Sequence, residues 1–326
     1  MDLVGSYRED LRFLRRPAAR SLVLILLAAL ALLPTVAPEH HVYLLTMIAL
    51  TAIGTIGQNF LIGFAGQISF GQAGFLAIGA YAFGHLRVLG VPFLPALAAA
   101  GLAAGLAGVL IGFPSLRLKG PYLAIATLGF GVAVYQMFVN WEALSGGRSG
   151  LAIAKLEPAF GMSRATTVYY WYLLLLVGLT LVAYNMVSSY IGRALVAIRD
   201  SEIAAEVNGV NLTRYKLFAF GLSSFYTGVE GGLLAQLLGH LEPQMFTLAA
   251  SITLFVAVIV GGVASIEGSL LGAAFVVLVP QLFAGVREWV PVVFGATILL
   301  ILSFEPYGFA GRLMKLRLYF AMWPLR

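Results

Sequence analysis

The 326-residue chain contains no cysteine. That excludes a disulfide framework, a thiolate metal site and a cysteine nucleophile. Charge is scarce too: Asp, Glu, Lys and Arg make up 10% of the residues, where a soluble domain carries about 25%. No GxxxxGK[ST] phosphate loop occurs, so this chain does not itself bind and hydrolyse ATP. No nucleophile elbow with a Ser/His/Asp set is present either. His40 and His41 are adjacent, but no carboxylate or cysteine stands near them at ligand spacing, so they read as a loop outside the membrane. His85 and His240 sit near span ends, where an imidazole hydrogen-bonds at the interface. Nothing in the sequence argues for catalysis, a bound metal or a cofactor in this chain.

What is abundant is apolar. Hydrophobic residues make up 60% of the chain, with a mean hydropathy of +0.94. The pattern predicts an all-α integral membrane protein of about ten spans, each near the length that crosses the hydrocarbon core. The runs are Ser21–Ala37, Val42–Ile62, Ser69–Leu89, Phe93–Phe113, Pro121–Asn140, Tyr169–Val187, Leu217–Leu238, Thr247–Val263, Ser269–Gly285 and Pro291–Phe304. They leave no room for a soluble domain, so 1–326 reads as one transmembrane domain with tails at 1–20 and 305–326 and one polar loop at 188–216. Arg8, Arg12, Arg15, Arg16 and Arg20 before the first run resemble the start of a signal peptide, and Thr35-Val36-Ala37 a cleavage site. Pro38 directly after it and the many later spans favour a retained helix. The 37 glycines fit close helix packing in lipid.

The net charge of +6 belongs to topology, not to nucleic acid. With the arginine-rich N-terminus in the cytoplasm and spans alternating, Arg117, Lys119, Arg193, Arg199, Arg214, Lys216, Arg312, Lys315 and Arg317 all fall inside. Glu39, His40, the loop Trp141–Thr167 and Leu241–Met245 fall outside. Trp141, Trp171 and Trp289 stand near span ends as interfacial anchors. Both termini are then cytoplasmic. Dividing the chain at the polar loop leaves two four-helix blocks, Val42–Asn140 and Leu217–Phe304, that enter the membrane from opposite faces, an inverted arrangement typical of transporters.

Two features break the apolar pattern. The turn Gly63–Gly74 is uncharged and rich in Gly, with Gln67, Ser69 and Gln72 at or just inside the membrane. Such a stretch either packs helices through Gly66, Gly71 and Gly74 or lines a pathway. Glu230 is the acidic residue inside a span, where a charge is costly unless paired or facing water. It either pairs with a charge on a neighbouring helix or subunit or contributes to a pathway. Glu267 reads as a solvated residue of a cytoplasmic turn.

The segment Ile191–Lys216, IGRALVAIRDSEIAAEVNGVNLTRYK, is far more polar than the runs that flank it. Asp200 or Ser201 can N-cap a short helix with Glu202 in its first turn. Gly209 can end that helix left-handed, and Asn211 or Thr213 can cap the next. Ile203, Val207 and Val210, at i, i+4 and i+7, form an apolar edge. A capped amphipathic helix of this kind suits docking into a groove on a soluble partner, although an ordinary solvated loop has the same composition.

Ala204-Ala205-Glu206 followed by Gly209 resembles the cytoplasmic EAA loop of ABC importer permeases. GFAGQISFGQAGFLAIGAY (Gly63–Tyr81), RLKGPYLAIATLGFG (Arg117–Gly131), VGGVASIEGSLLGA (Val260–Ala273) and FEPYGFAG (Phe304–Gly311) are similar, in order, to stretches of the LivH/LivM-type permeases for branched-chain amino acids. The resemblance runs from about Leu44 to Gly311. It implies a multi-pass protein of the bacterial inner membrane. Its expected partners are a second, LivH-like permease, two cytoplasmic ATP-binding subunits that carry the ATP and Mg, and a periplasmic or lipid-anchored substrate-binding protein. It also implies that Arg199, Asp200, Glu202, Ile203, Ala205, Glu206, Val207 and Gly209 form the loop the ATPases grip. Candidates for the substrate pathway are Gln67, Ser69, Gln72, Thr127 and Glu230. Glu230 stands where the family has small apolar residues, which leaves urea or short amides as alternative substrates. An ion-coupled secondary transporter would need a coupling cluster in its spans, and Glu230 alone is available; a channel would need a filter of repeated polar groups.

Overall fold

The computed structural model describes residues 17–283 apart from 119, 148–149 and 159–160, together with scattered positions between 292 and 312. The tenth expected span, Pro291–Phe304, lies largely outside the described residues. So do most of the two tails, with Arg8, Arg12, Arg15, Arg16, Lys119, Trp289, Lys315 and Arg317.

The regular structure among the described residues is helical except for one pair of two-residue strands. The α-helices of six residues or more are α1 (Pro17–Val36), α2 (Glu39–Asn59), α3 (Gln72–Val88), α4 (Phe93–Ser115), α5 (Pro121–Asn140), α6 (Arg164–Ser188), α7 (Tyr190–Asp200), α8 (Glu202–Val207), α9 (Leu212–Leu238), α10 (Leu248–Gly261) and α11 (Ile266–Leu282). Among the described residues, α2 with its extension to Phe64, α4, α5 and α6 are long and apolar enough to cross a membrane by length and composition. α10 and α11 are shorter apolar helices.

α9 occupies the centre, packed against α4, α3 and α2. Its polarity points inward: Ser223, Ser224, Thr227 and Gln236 are all buried against neighbouring helices. Close approach is made possible by missing side chains. A Cβ on Gly79 of α3 would lie 2.3 Å from the carbonyl oxygen of Gly228 in α9, and one on Gly228 would lie 2.4 Å from Ala104 Cβ in α4. α10 and α11 pair with each other and lean on α2, while α6 lies outside α2. α1 is tied to α6 by the Tyr169 and Tyr170 hydroxyls, which donate to the carbonyls of Leu30 and Ala31 at 2.8 Å.

The turns sort to two ends. Gly63, Ala264 and Arg199 meet at one end. At the other, strand β1 (Leu151–Ala152) pairs antiparallel with β2 (His240–Leu241). There Ile153 N–H donates to the Gly239 carbonyl at 3.0 Å, and Gln236 Nε2 donates to the Ala154 carbonyl at 3.1 Å.

Candidate functional site

The polar loop folds as two helices. α7 starts at Ser189, whose hydroxyl accepts from Ile191 N–H at 3.1 Å. Ser201 caps α8 by accepting from Ala204 N–H at 3.2 Å. Gly209 then turns the chain with φ +81, and Asn211 Oδ1 caps α9 through Arg214 N–H at 3.0 Å. Lys216, 6% exposed, donates to Glu202 Oε1 at 2.6 Å and fastens α8 to the first turn of α9. Ala205 faces inward. Ile203 and Val207 face out, 77% and 82% exposed, and Glu206 is exposed beside them. Ile203 and Val207 thus stand side by side, bared on one edge of a tethered helix.

Beneath this segment α2 ends irregularly. Residues Phe60–Phe64 form a π-turn, in which Ala65 N–H bonds the Phe60 carbonyl at 3.1 Å. Such a turn inserts one residue into the helix and recurs at functional sites. Asn59 holds the place: its Nδ2 faces the Ser265 carbonyl at 2.9 Å and Ser269 Oγ at 2.8 Å, and its Oδ1 accepts from Ala264 N–H at 2.9 Å. Ala264 is held in the left-handed region, φ 60, a strained position for a residue with a Cβ. A Cβ on Gly63 would lie 1.9 Å from Asn59 Oδ1, so glycine is required there.

From Gly66 to Gly71 the chain has no regular structure and runs up into the bundle. Gln58 Nε2 donates to the Ser69 carbonyl at 3.0 Å, and Phe70 N–H donates to Thr127 Oγ1 of α5 at 3.1 Å. Gln72 Nε2 donates to Ser223 Oγ at 3.1 Å and its Oε1 accepts from Thr227 Oγ1 at 2.8 Å. Ser223 and Thr227 lie near the middle of α9, so α3 begins deep within the bundle. Ser251 Oγ of α10 accepts from Ala73 N–H at 2.8 Å at that buried start. Irregular backbone at such depth is tolerated where it is enclosed by protein or borders a cavity, and both conditions hold. A cleft of about 250 Å³ opens beside Phe70 and Ala73, walled by Gly131, Tyr135 and Gln136 of α5 and by Leu248 and Ser251 of α10.

The sequence profile described as branched-chain amino acid transport system / permease component matches residues 41–302. The chain belongs to that family. It is 34% identical over 301 residues to the high-affinity branched-chain amino acid transport system permease protein LivM of Salmonella typhimurium, covering 84% of this chain and 71% of that protein. The same protein of Escherichia coli K12 is 34% identical over 313 residues, covering 88% and 73%. BraD of Pseudomonas aeruginosa, a permease protein of the same description, is 27% identical over 303 residues, covering 84% and 98%. No solved structure matches the chain. It is therefore a multi-pass membrane permease component and not an enzyme.

In this permease the residues singled out from sequence divide. Ser69, Gln72 and Thr127 are fully buried and hold the re-entrant segment through internal hydrogen bonds, so they support the cleft rather than line it. Gln67 is buried as well, and its Oε1 has no hydrogen-bond partner. Glu230 lies elsewhere. It faces α2 and not lipid, with its carboxylate filling the space a Gly54 side chain would take. It does not line the cleft. The expected pairing with a cation is not found among the described residues, and Glu230 Oε2 is buried without a partner. It sits on the α9 face that carries Tyr226, whose hydroxyl donates to the Leu179 carbonyl at 2.8 Å. Asn59, Ser223, Thr227 and Ser251 were not singled out from sequence. The available signal was small: single polar residues inside apolar runs, whose partners on other helices are set by packing.

Proposed function

We propose that this permease forms half of the translocation pathway of an ATP-driven importer for branched-chain and other hydrophobic amino acids. The carrying observation is the exposed Ile203–Val207 edge on α8, tethered by Lys216–Glu202. An apolar edge of this size on a helix held by two caps is shaped to seat in a groove of a cytoplasmic ATPase. The relatives' names supply the substrate class, and the cleft walled by Phe70, Leu248 and Tyr135 supports it, because an apolar side chain fits there with hydroxyl and amide groups at its edge. A second, LivH-like permease completes the pathway, two ATPase subunits carry the ATP and Mg, and a periplasmic or lipid-anchored binding protein delivers substrate.

In this reading the chain lies in the bacterial inner membrane, with both termini cytoplasmic and about ten spans in two inverted four-helix blocks. The end that carries α7 and α8 is cytoplasmic, and the β1–β2 end faces out. Reconstitution with the partner permease and ATPases tests it. Ile203→Asp should abolish ATP-dependent leucine uptake while the protein remains inserted. Undiminished uptake by that variant would remove α8 from the mechanism, and uptake of urea but not leucine would replace the substrate class.

A further inference from the structure

We infer that Arg199 is a positioning residue that passes movement of the α7–α8 segment to the cleft through the π-turn and the re-entrant chain at 65–71. The inference rests on the importer reading above and assigns the inner half of its coupling path. Arg199 faces two ways. Its Nε and Nη2 hold Asp200 Oδ1 at 3.0 and 2.9 Å on the exposed side. Its Nη1 donates to the carbonyl of Gly63 at 3.1 Å, inside the π-turn. Gly66 fits against the same residue: with φ +69, a Cβ there would lie 2.9 Å from Arg199 Cγ and 3.3 Å from its Cα. The first residue of the re-entrant chain is thus packed on the last turn of α7.

The far end of that chain is gripped equally firmly. Phe70 N–H bonds Thr127 Oγ1, and the Phe70 ring packs on Phe255 of α10 with centroids 5.0 Å apart. Phe70 also walls the cleft. Between the two grips the backbone is irregular, so it shifts as a strap without breaking a helix ladder. A π-turn supplies the discrete step, because one residue passes from the π to the α register while the rest of α2 stays in place. The other side of the turn is anchored by Asn59 to Ala264 and Ser265. A pull on Gly63 therefore moves the strap relative to α10 and α11 rather than the bundle as a whole. A step of the π-turn into the α register would give this contiguous element a second arrangement, and an element that both sites bias between two arrangements couples them physically.

The test uses the reconstituted complex of both permeases, the ATPases and binding protein. Arg199→Met and, separately, Thr127→Val at the buried far end should each lower ATP-driven leucine uptake about tenfold. Arg199→Lys, which keeps a donor, should recover part of it. Because both changes cut one path, the double variant should be no worse than either single, where independent sites would multiply to about a hundredfold. Multiplicative loss or wild-type uptake in Arg199→Met would overturn the inference. A separate readout needs no ATPase. In this cysteine-free chain, Leu248→Cys in the cleft should change its rate of thiol labelling at least threefold when Arg199→Met is added. The same labelling at Glu157→Cys should not change. An unchanged rate at Leu248→Cys would overturn the relay, whereas failure of the wild-type complex to take up leucine would count against the importer reading alone.

Discussion

Gly79→Ala and Gly129→Ala are the same change in two helices, and the structure gives them opposite signs. The added Cβ at Gly79 would stand 2.4 Å from Gly228 Cα and 2.3 Å from its carbonyl oxygen. Carbon contacts settle at about 3.5 Å or more, so α3 and α9 must part by about 1 Å, enough to forfeit a quarter to a half of each dispersion contact along the seam. The atoms in the way are backbone, and Gly228 is pressed from its other side by Ala104, so no rotamer change relieves the clash. Overpacking of this kind costs about 3 kcal/mol at its upper range. The gain of about 1 kcal/mol from replacing a helical glycine by alanine offsets part of it. The net loss is about 2 kcal/mol, or about thirtyfold in the folding equilibrium. At Gly129 in α5 nothing lies within 4 Å of the new Cβ, so only the propensity term remains and stability should rise by up to about 1 kcal/mol. Unfolding in mixed detergent micelles, followed by the fluorescence of the four tryptophans, compares the pair. Equal midpoints for Gly79→Ala and wild type would refute the glycine-mediated packing of α3 on α9.

Three further outcomes are expected. Glu230→Met should raise the unfolding free energy by about 1 kcal/mol, since it replaces a buried carboxylate oxygen that has no partner with apolar atoms; a lowered value would mean that the carboxylate is held. Glu202→Met should destabilise the α7–α8 segment more than Lys216→Met does, because it strands the buried ammonium while the change at Lys216 leaves Glu202 partly in water. The difference, about 1 kcal/mol after solvent screening, should appear as faster hydrogen exchange in α8, and the opposite order would refute the assigned burial. Single cysteines at Glu157 and Glu206, both exposed at opposite ends of the bundle, should label with an impermeant reagent from opposite sides of the membrane; labelling of both from outside would break the proposed topology.

The sequence by itself determined whatever depends on neighbours within a turn or two. Apolar runs placed α2, α4, α5 and α6 because twenty residues without charge have few other fates in water or lipid. Asp200 or Ser201, then Gly209, then Asn211 or Thr213 marked the ends of α8 and the start of α9 because capping and left-handed turns are local chemistry, and the structure uses Ser201 and Asn211. The tertiary structure alone decided where single polar groups go. Hydropathy started the third span at Ser69, yet the helix starts at Gln72, because hydrogen bonds from Phe70 to Thr127 and from Gln58 to Ser69 hold the preceding residues in an irregular path. Lys216 reads as one more loop cation until Glu202 is seen to cover it. Asn59 lies more than two hundred residues from the turn it clamps, and nothing beside it in the chain names that partner. A buried polar side chain is satisfied by whichever helix reaches it, and that partner is set by packing between distant parts of the chain, not by the residues beside it.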